Sequence, residues 1–257
     1  MAEDRPAKRQ KAVHPIDAAN SRTDEDFLID YMRPSKNWQS WRHPKSDEEH
    51  IIRFASPGRL SEQDLEECYR LVEETSRKDY ENSSVGWNEG AKREEMKSSE
   101  LKYVLVEGTD EEAKNDGGKG EEGKRGKLRG FVSMMPTFEN GEAVVYCYEI
   151  HIKPYLQGTG LAQLLMSHVT NTARNIPSVN KTMLTCFTSN IRGRRFYERL
   201  GFSVDERTSP RERKLRGGKV VKPDYVIMSK TESGDDVVVE VAAKPHGEVA
   251  AGEGSGD

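Results

Sequence analysis

The sequence is poor in cysteine, in aromatic residues and in long apolar runs. Its three cysteines, Cys68, Cys147 and Cys186, stand far apart among 257 residues. An odd number at that spacing supports neither a disulfide framework nor a zinc site. No metal is therefore expected, and a reducing compartment is. No apolar stretch approaches the ~20 residues that cross a bilayer. The N-terminus lacks the apolar region of a secretory signal, so no membrane association is expected. Aromatic residues make up 7% and hydrophobic residues 34%, against 33% charged residues and a mean hydropathy of −0.84. Positive charge is not in excess, with 40 Lys and Arg against 44 Asp and Glu and a net charge of −4. That balance excludes a nucleic-acid binder acting by overall charge and suits a basic partner better.

What is present is a folded middle between polar ends. Residues 1–22 read as a disordered polar tail with a short basic cluster, Lys8-Arg9-Gln10-Lys11, of the kind that can serve as a nuclear address. Residues 23–60 carry Phe27, Leu28, Tyr31, Trp38 and Trp41 and are expected to dock on the domain as an extension. The domain itself is placed at 61–230. Ser61-x-x-Asp64 predicts a helix start, followed by the apolar stripe Leu65, Cys68, Leu71, Val72 and a helix to about Lys78. Asn88 predicts the cap of a second helix, Glu89 to Met96. Leu101 to Val106 reads as a strand. Residues 108–129 hold little beyond Gly, Glu, Lys and Asp and are expected to form a disordered insert. An insert of this length destabilises little, because loop-closure entropy grows only logarithmically. Gly130 to Phe138 is a strand, and Asn140-Gly141 predicts a hairpin turn into the next one. Thr182 to Phe187 is another strand. Asn190 opens a helix that Gly201 closes. Phe202 to Val204 and Tyr225 to Met228 form a last pair, joined by a very basic link, and residues 231–257 read as a disordered tail.

The stretch from Val144 to Thr170 organises the rest. Val144, Tyr146, Tyr148, Ile150 and Ile152 alternate as one face of a strand. Leu161, Leu164, Leu165, His168 and Val169 follow helical spacing. Between them lies Gln157-Gly158-Thr159-Gly160-Leu161-Ala162. Glycines there allow a tight turn with uncovered amide N–H groups, and the helix adds its own free N–H groups and positive dipole end. Such a turn is a socket for a phosphate or diphosphate.

Gln157, Gly160 and Ala162 in that place resemble the acyl-CoA motif of the GCN5-related N-acetyltransferases, the GNAT superfamily. A second match follows a strand later, Asn190-x-x-Gly193-x-x-Phe196-Tyr197-Glu198-x-Leu200-Gly201-Phe202. The runs Gly86-Trp87-Asn88, Lys92-Arg93-Glu94-Glu95-Met96, Tyr146-Cys147-Tyr148-Glu149, Met183-Leu184-Thr185, Thr208-Ser209-Pro210 and Asp224-Tyr225 narrow the likeness. They resemble the D-type N-alpha-acetyltransferases, which act on histone amino termini.

The resemblance implies a mixed α/β fold. It is a mostly antiparallel twisted sheet of about six or seven strands with helices on both faces, parallel only where the central strand meets the one after it. It implies acetyl-CoA as cosubstrate, held by the edge of the strand at Ile150, His151 and Ile152, by Gln157, Gly158, Thr159, Gly160, Leu161 and Ala162, and by Asn190 along the pantetheine arm. A splay of that strand after Ile150 is expected to expose backbone N–H groups. The implied substrate begins Ser-Gly-Arg-Gly, the start of histone 4 and histone 2A, in a groove lined by Tyr80, Trp87, Tyr146, Tyr148, Thr185 and Tyr225. Nucleus and cytoplasm are the implied locations, and a monomer is expected.

Acetyl transfer to an amine needs a neutral amine, an oxyanion site and a proton path. An α-amino group, with a pKa of about 7.7–8.0, is partly neutral already, whereas a lysine amine near about 10.4 needs about 4 kcal/mol of help. A carboxylate acting through water suits the first case. Glu149 is the first candidate base and Glu139 the second. His151 is a third by chemistry, since imidazole titrates near neutrality. Tyr197 is the candidate acid for the departing thiolate. Gln157 stands where an arginine is more usual, Ala162 stands for glycine, and Thr137 replaces an expected acid ahead of Glu139. A lysine or polyamine acetyltransferase, a non-catalytic acetyl-CoA sensor or chromatin-binding module, and a nucleic-acid binder resting on Arg207 to Lys222 and Lys124 to Arg129 are the alternatives.

Overall fold

The structure is a computed structural model and describes residues 13–109, 126–214, 216, 218 and 220–232. Chain order gives α1 (Pro15–Asn20), α2 (Asp24–Phe27) with a π-helical turn after it, β1 (Ser40–Arg42) and β2 (Glu49–Ala55). Then follow α3 (Glu62–Glu81), α4 (Glu89–Met96), β3 (Lys102–Gly108), β4 (Leu128–Glu139) and β5 (Glu142–Ile152). The remainder is α5 (Leu161–Asn175), β6 (Lys181–Phe187), α6 (Ile191–Arg199), β7 (Ser203–Val204), β8 (Arg213–Lys214), β9 (Val220–Val221) and β10 (Tyr225–Thr231).

The helix starts are set by side-chain caps. Ser61 and Asp64 form a reciprocal capping box on α3, Asn88 accepts from Ala91 N–H on α4, and Asn190 accepts from Gly193 N–H on α6. Each supplies an acceptor for an otherwise unpaired helical N–H. Asn140 and Gly141 both take positive φ, 49° and 81°, which is the turn that a tight hairpin with native strand twist requires.

The main sheet has eight strands in the order β1-β2-β3-β4-β5-β6-β10-β7. All its pairings are antiparallel except β5 with β6, where α5 makes the crossover that a parallel pair needs. The fold is mixed α/β, with helices on both faces. On one face, α1, the π-helical turn and α5 enclose Phe27, Met32, Ile52, Val104, Val132, Leu161, Leu165 and Val169. On the other, α3 and α4 cover Cys68, Leu71, Val72, Met96, Leu101, Leu105 and Phe131. A fully buried aliphatic or aromatic side chain of this kind contributes about 1.5–3 kcal/mol, so both layers hold the sheet.

Five expectations need correction. Within the expected N-terminal tail, residues 15–20 form α1, which buries Ile16 and Ala19, and Asn20 donates to the Pro136 carbonyl; the basic cluster at Lys8–Lys11 lies outside the described residues. The extension adds the strands β1 and β2, and β2 pairs with β3 along Ala55↔Tyr103 to His50↔Gly108. The insert is narrower than 108–129, since Gly108 ends β3, Leu128 pairs with Glu107 and Arg129 already lies in β4; residues 110–125 lie outside the described residues. The C-terminal tail, expected from 231, likewise begins later, because Thr231 closes β10, and residues from 233 on lie outside the described residues.

The fifth correction bears on the site. Strict alternation would put Tyr146, Tyr148, Ile150 and Ile152 on one face. Instead β4 pairs Met134 with Cys147 and Ser133 with Glu149, which leaves Tyr148 as an extra residue in a β-bulge. A one-residue slip exchanges the faces of everything after it. Ile150 and Ile152 therefore join the α5-side core, while Tyr148 packs on the α3 side.

Candidate active site

Two strands open the site. β5 and β6 pair only at Val145↔Thr182, Tyr146↔Met183 and Cys147↔Leu184. Beyond Cys147 they part, three residues earlier than the sequence suggested. Among the described residues, the β6-facing edge of β5 from Tyr148 to Ile152 thus has no strand partner. Peptide N–H groups on such an edge seek acceptors.

Below the opening, the chain leaves β5 through a short 3-10 turn, Pro154–Leu156, and enters α5. Gly158 and Gly160 both take positive φ, 80° and 93°, and an added Cβ at either would meet nothing within 4 Å. Backbone conformation, not crowding, therefore calls for glycine at these two positions. The Thr159 hydroxyl donates to the Leu156 carbonyl at 2.6 Å and fixes the turn. No side chain caps α5, and its first turn holds no acid. An open turn with free helix N–H groups fits a diphosphate, and Gln157 to Ala162 are the residues that would hold it.

Above the opening is a groove of about 560 Å³. Tyr80, Trp87, Glu139, Tyr146, Tyr148, Glu149, Ile150, His151, Thr185, Asn190, Tyr197 and Tyr225 all line it. It thus gathers the candidate catalytic and peptide-facing residues from α3, the loop before α4, the β4–β5 hairpin, β5, β6, α6 and β10. Ile152 and the turn 157–162 lie outside this lining. The walls are aromatic: Tyr80 meets Phe187 at 4.9 Å and Trp87 at 5.6 Å, and Tyr146 meets Tyr148 at 5.4 Å. Asp224 accepts from the backbone N–H and hydroxyl of Ser84, tying the loop after α3 to the start of β10. A smaller cavity of about 210 Å³ adjoins the groove through Glu139 and is lined by Glu142, Lys181, Asp205, Arg207 and Thr208 as well.

The groove floor carries a buried ion cluster. Lys92 is 7% exposed. Its ammonium donates to Glu149 Oε1 at 2.9 Å, to Glu95 Oε1 at 2.9 Å and to the Tyr80 phenol at 3.0 Å, which uses all three of its protons. Glu149, also 7% exposed, accepts from Lys92, at 3.4 Å from Tyr80 and at 2.5 Å from His151 Nε2. Burial alone would raise its pKa, but His151 and Lys92 more than offset this and hold it down at about 2. For Lys92 burial acts downward, and the facing carboxylate Glu149 leads the influences that raise it above the ordinary range. Burial, assisted by Glu149, pushes the Tyr80 phenol up to about 12.

Tyr197 is half-buried at the inner end of the groove. Burial pushes its phenol well up, with Cys147, Cys186 and Glu149 adding to the effect, so it keeps its proton at neutral pH. Asn190 serves first as the α6 cap. A Cβ on Gly193 would stand 2.6 Å from the Asn190 amide nitrogen, which accounts for glycine there. Tyr146 shares a 2.6 Å hydrogen bond with Thr185. Glu139 lies at the mouth, close enough to raise both Tyr146 and Tyr148 electrostatically, although burial is the larger cause for each.

Sequence reasoning had not singled out Lys92. Its spacing was a signal, since it precedes the buried Met96 by one helical turn and so shares the inward face of α4. The Ser84–Asp224 tie and the Lys92–Glu149 pair join residues far apart in the chain and left no local trace.

Comparison with known proteins places this geometry. The acetyltransferase (GNAT) family model matches residues 65–202. N-alpha-acetyltransferase 40 of Saccharomyces cerevisiae is 29% identical over 192 residues, and the match covers 63% of this chain and 61% of that relative. Among solved structures, Arabidopsis thaliana NAA60 in complex with a bisubstrate analogue is 14% identical, covering 72% of this chain and 99% of its own, with a TM-score of 0.46. A GNAT-family acetyltransferase of Staphylococcus aureus is 12% identical, covering 71% and 100%, with a TM-score of 0.48. The family match takes in α3 to α6, the opening between β5 and β6 and the glycine turn, and on that match the chain belongs to the acetyltransferase (GNAT) family.

Proposed function

We propose that the chain is an acetyl-CoA-dependent N-terminal α-amino acetyltransferase of the D type. In this reading its substrates are the histone 4 and histone 2A tails that begin Ser-Gly-Arg-Gly. The observation that carries the reading is the groove itself, an aromatic-walled cleft ending at the β5–β6 opening, with carboxylates at both its mouth and its floor. The yeast relative, an N-alpha-acetyltransferase by name, supports the class of amine. Small residues at the start of the peptide suit a cleft narrowed by tyrosines. An arginine in third place suits the acidic mouth at Glu139, through charge-assisted hydrogen bonds or stacking on an aromatic face.

Acetyl-CoA supplies an activated acetyl thioester. The turn from Gln157 to Ala162 binds its diphosphate, and the free edge of β5 aligns the pantetheine arm and takes up negative charge that develops on the acetyl oxygen. The substrate α-ammonium gives up a proton through water to Glu149, with Glu139 as the second candidate. The freed amine forms the new C–N bond, the C–S bond breaks, and the sulfur leaves with a proton. Tyr197, kept protonated by its surroundings, donates its hydrogen bond to that sulfur. The overall change converts an ammonium and a thioester into an amide, a thiol and one released proton. The enzyme would act as a monomer in nucleus and cytoplasm, where histone tails are met.

The test is incubation with acetyl-CoA and a Ser-Gly-Arg-Gly-Lys peptide, with free or blocked N-terminus, and location of the acetyl group by mass spectrometry. Acetylation confined to the free α-amine is expected. Modification of the lysine in the blocked peptide would favour a side-chain acetyltransferase, and no modification of any amine would leave a cofactor-binding module.

A further inference from the structure

His151 lies against Glu149 on the α3 side of β5, 8% exposed. The Phe131 ring of β4 is 5.6 Å from its own. Its two ring nitrogens meet different partners. Nε2 lies 2.5 Å from Glu149 Oε2, and Nδ1 lies 2.6 Å from the Thr75 hydroxyl of α3. An ionised carboxylate only accepts, so Nε2 carries a proton.

The other nitrogen has a choice. The Thr75 oxygen also lies 2.7 Å from the Leu71 carbonyl, one helical turn back. A hydroxyl has one hydrogen and two lone pairs. With that hydrogen on Leu71, the oxygen accepts from Nδ1–H and the ring is a cation. With the hydroxyl rotated toward Nδ1, the ring is neutral, and the Leu71 carbonyl keeps its ordinary place in the helical ladder. Neither state moves a heavy atom, and neither breaks the bond from Nε2–H to Glu149.

This matters because Glu149 sits between the Lys92 ammonium and the His151 ring, and in the first of those two states it faces two cations and holds protons weakly. A base needs proton affinity near that of the group it serves. Discharging one cation raises the affinity of the carboxylate without releasing its grip. The charged and titratable groups around His151 are Glu149 on its own strand, Tyr80 of α3, and Lys92 and Glu95 of α4. Tyr103 of β3 and Tyr197 of α6 act on the same carboxylate. Lys92 stays charged throughout the neutral range, whereas the His151 ring has two hydrogen-bonding states open to it at Nδ1.

We propose that His151 is a positioning residue for acetyl transfer. It holds the Glu149 carboxylate through Nε2–H in both of its charge states, and loss of its Nδ1 proton readies Glu149 to receive the proton of the substrate amine. This rests on the reading of the groove as an acetyl-transfer site with Glu149 as base.

Two measurements test it. Nitrogen-15 NMR of histidine-labelled wild-type protein, with His151 assigned by its absence in H151Q, reports the tautomer without turnover. The neutral ring is expected as the Nε2–H form, and an Nδ1–H form overturns the proposal. The second is the pH profile of kcat with acetyl-CoA and the Ser-Gly-Arg-Gly-Lys peptide. H151A is expected to lose kcat on the order of 10- to 100-fold, as for a displaced reacting group, with KM for acetyl-CoA unchanged. H151Q, whose amide N–H still reaches Glu149, is expected to recover most of that loss while one ionisation disappears from the rising limb. A full kcat in H151A, or an H151Q profile superimposable on wild type, overturns the proposal alone. A wild-type chain that acetylates no peptide removes the functional reading as well.

Discussion

Replacing Lys92 by Met removes the buried ammonium and keeps a side chain of similar length. Glu149 then stays buried with only His151 and Tyr80 to support its charge. Breaking one side of a buried pair typically costs about 3–5 kcal/mol. The two surviving donors place the expected loss at the low end, about 3 kcal/mol at pH 7. The acid side sets the pH window, with His151 the larger and Lys92 the smaller of the two lowering influences. A carboxylate lowered from an ordinary 4.5 to about 2 contributes about 3 kcal/mol of stability. Because the folded-state value is depressed, that contribution is present above pH 4.5 and is lost as pH falls through 4.5 toward 2. K92M weakens the depression, so the stability gap between variant and wild type should be widest near pH 7 and should narrow through this window. Urea unfolding followed at several pH values measures it, and thermal unfolding should show a fall in melting point of about 6–12 °C at neutral pH for a domain of this size. The double variant K92M/E149Q, which leaves no unpaired buried charge, should recover much of the loss. A K92M protein as stable as wild type at pH 7, or one whose deficit is the same at both ends of the range, would refute the account of the cluster.

Gly160→Ala should strain the turn by about 1–2 kcal/mol, because φ is 93° and no neighbour adds a clash; calorimetry should show weaker CoA binding, and unchanged affinity would separate the turn from the cofactor. Tyr197→Phe should lower kcat on the order of 100-fold, as expected for a lost proton donor, with CoA affinity intact; an unchanged kcat would remove Tyr197 from the chemistry. His168 is 3% exposed, and neither ring nitrogen has a hydrogen-bond partner among the described residues. Burial holds its pKa down at about 4 from 6.5. The unfolded chain therefore binds a proton that the folded one refuses, and stability falls as pH drops from 6.5 to about 4. His168→Leu should flatten that limb of the unfolding free energy by about 3 kcal/mol, in a window distinct from that of Glu149; a limb of unchanged slope would refute the assignment.

Local chemistry made much of this fold legible in the sequence. Ser61, Asn88 and Asn190 announce helix starts because their side chains replace missing helical acceptors. Asn140-Gly141 announces a hairpin because both residues tolerate positive φ. The turn at Gly158 and Gly160 was legible for the same reason, and the family motifs followed from it. The losses came where long-range contacts override local pattern. β2 was missed because it carries His50 and Arg53 among its apolar residues, and Ile51 faces out, 42% exposed. α1 was missed because its six residues bury only Ile16 and Ala19. Lys92 and Lys102 are buried cations, contrary to the usual rule.

The bulge at Tyr148 is the most consequential of these departures, because the site depends on it. In a strand of unbroken alternation, Tyr146 and Tyr148 would share a face, and Glu149 and His151 would point the opposite way, into the apolar layer beneath α5. An ionised carboxylate there would have no partner and a large desolvation penalty. The extra residue brings Glu149 and His151 onto the face of Tyr146, where Lys92, Tyr80 and Thr75 await them. It also returns Ile150 and Ile152 to the core that needs them. The same short stretch is where β5 has parted from β6 and its edge is free. One inserted residue therefore sets an aromatic wall, a paired carboxylate and an open strand edge side by side. Apolar patterning could not reveal this, since it reads which residues prefer burial and not where a ladder slips by one.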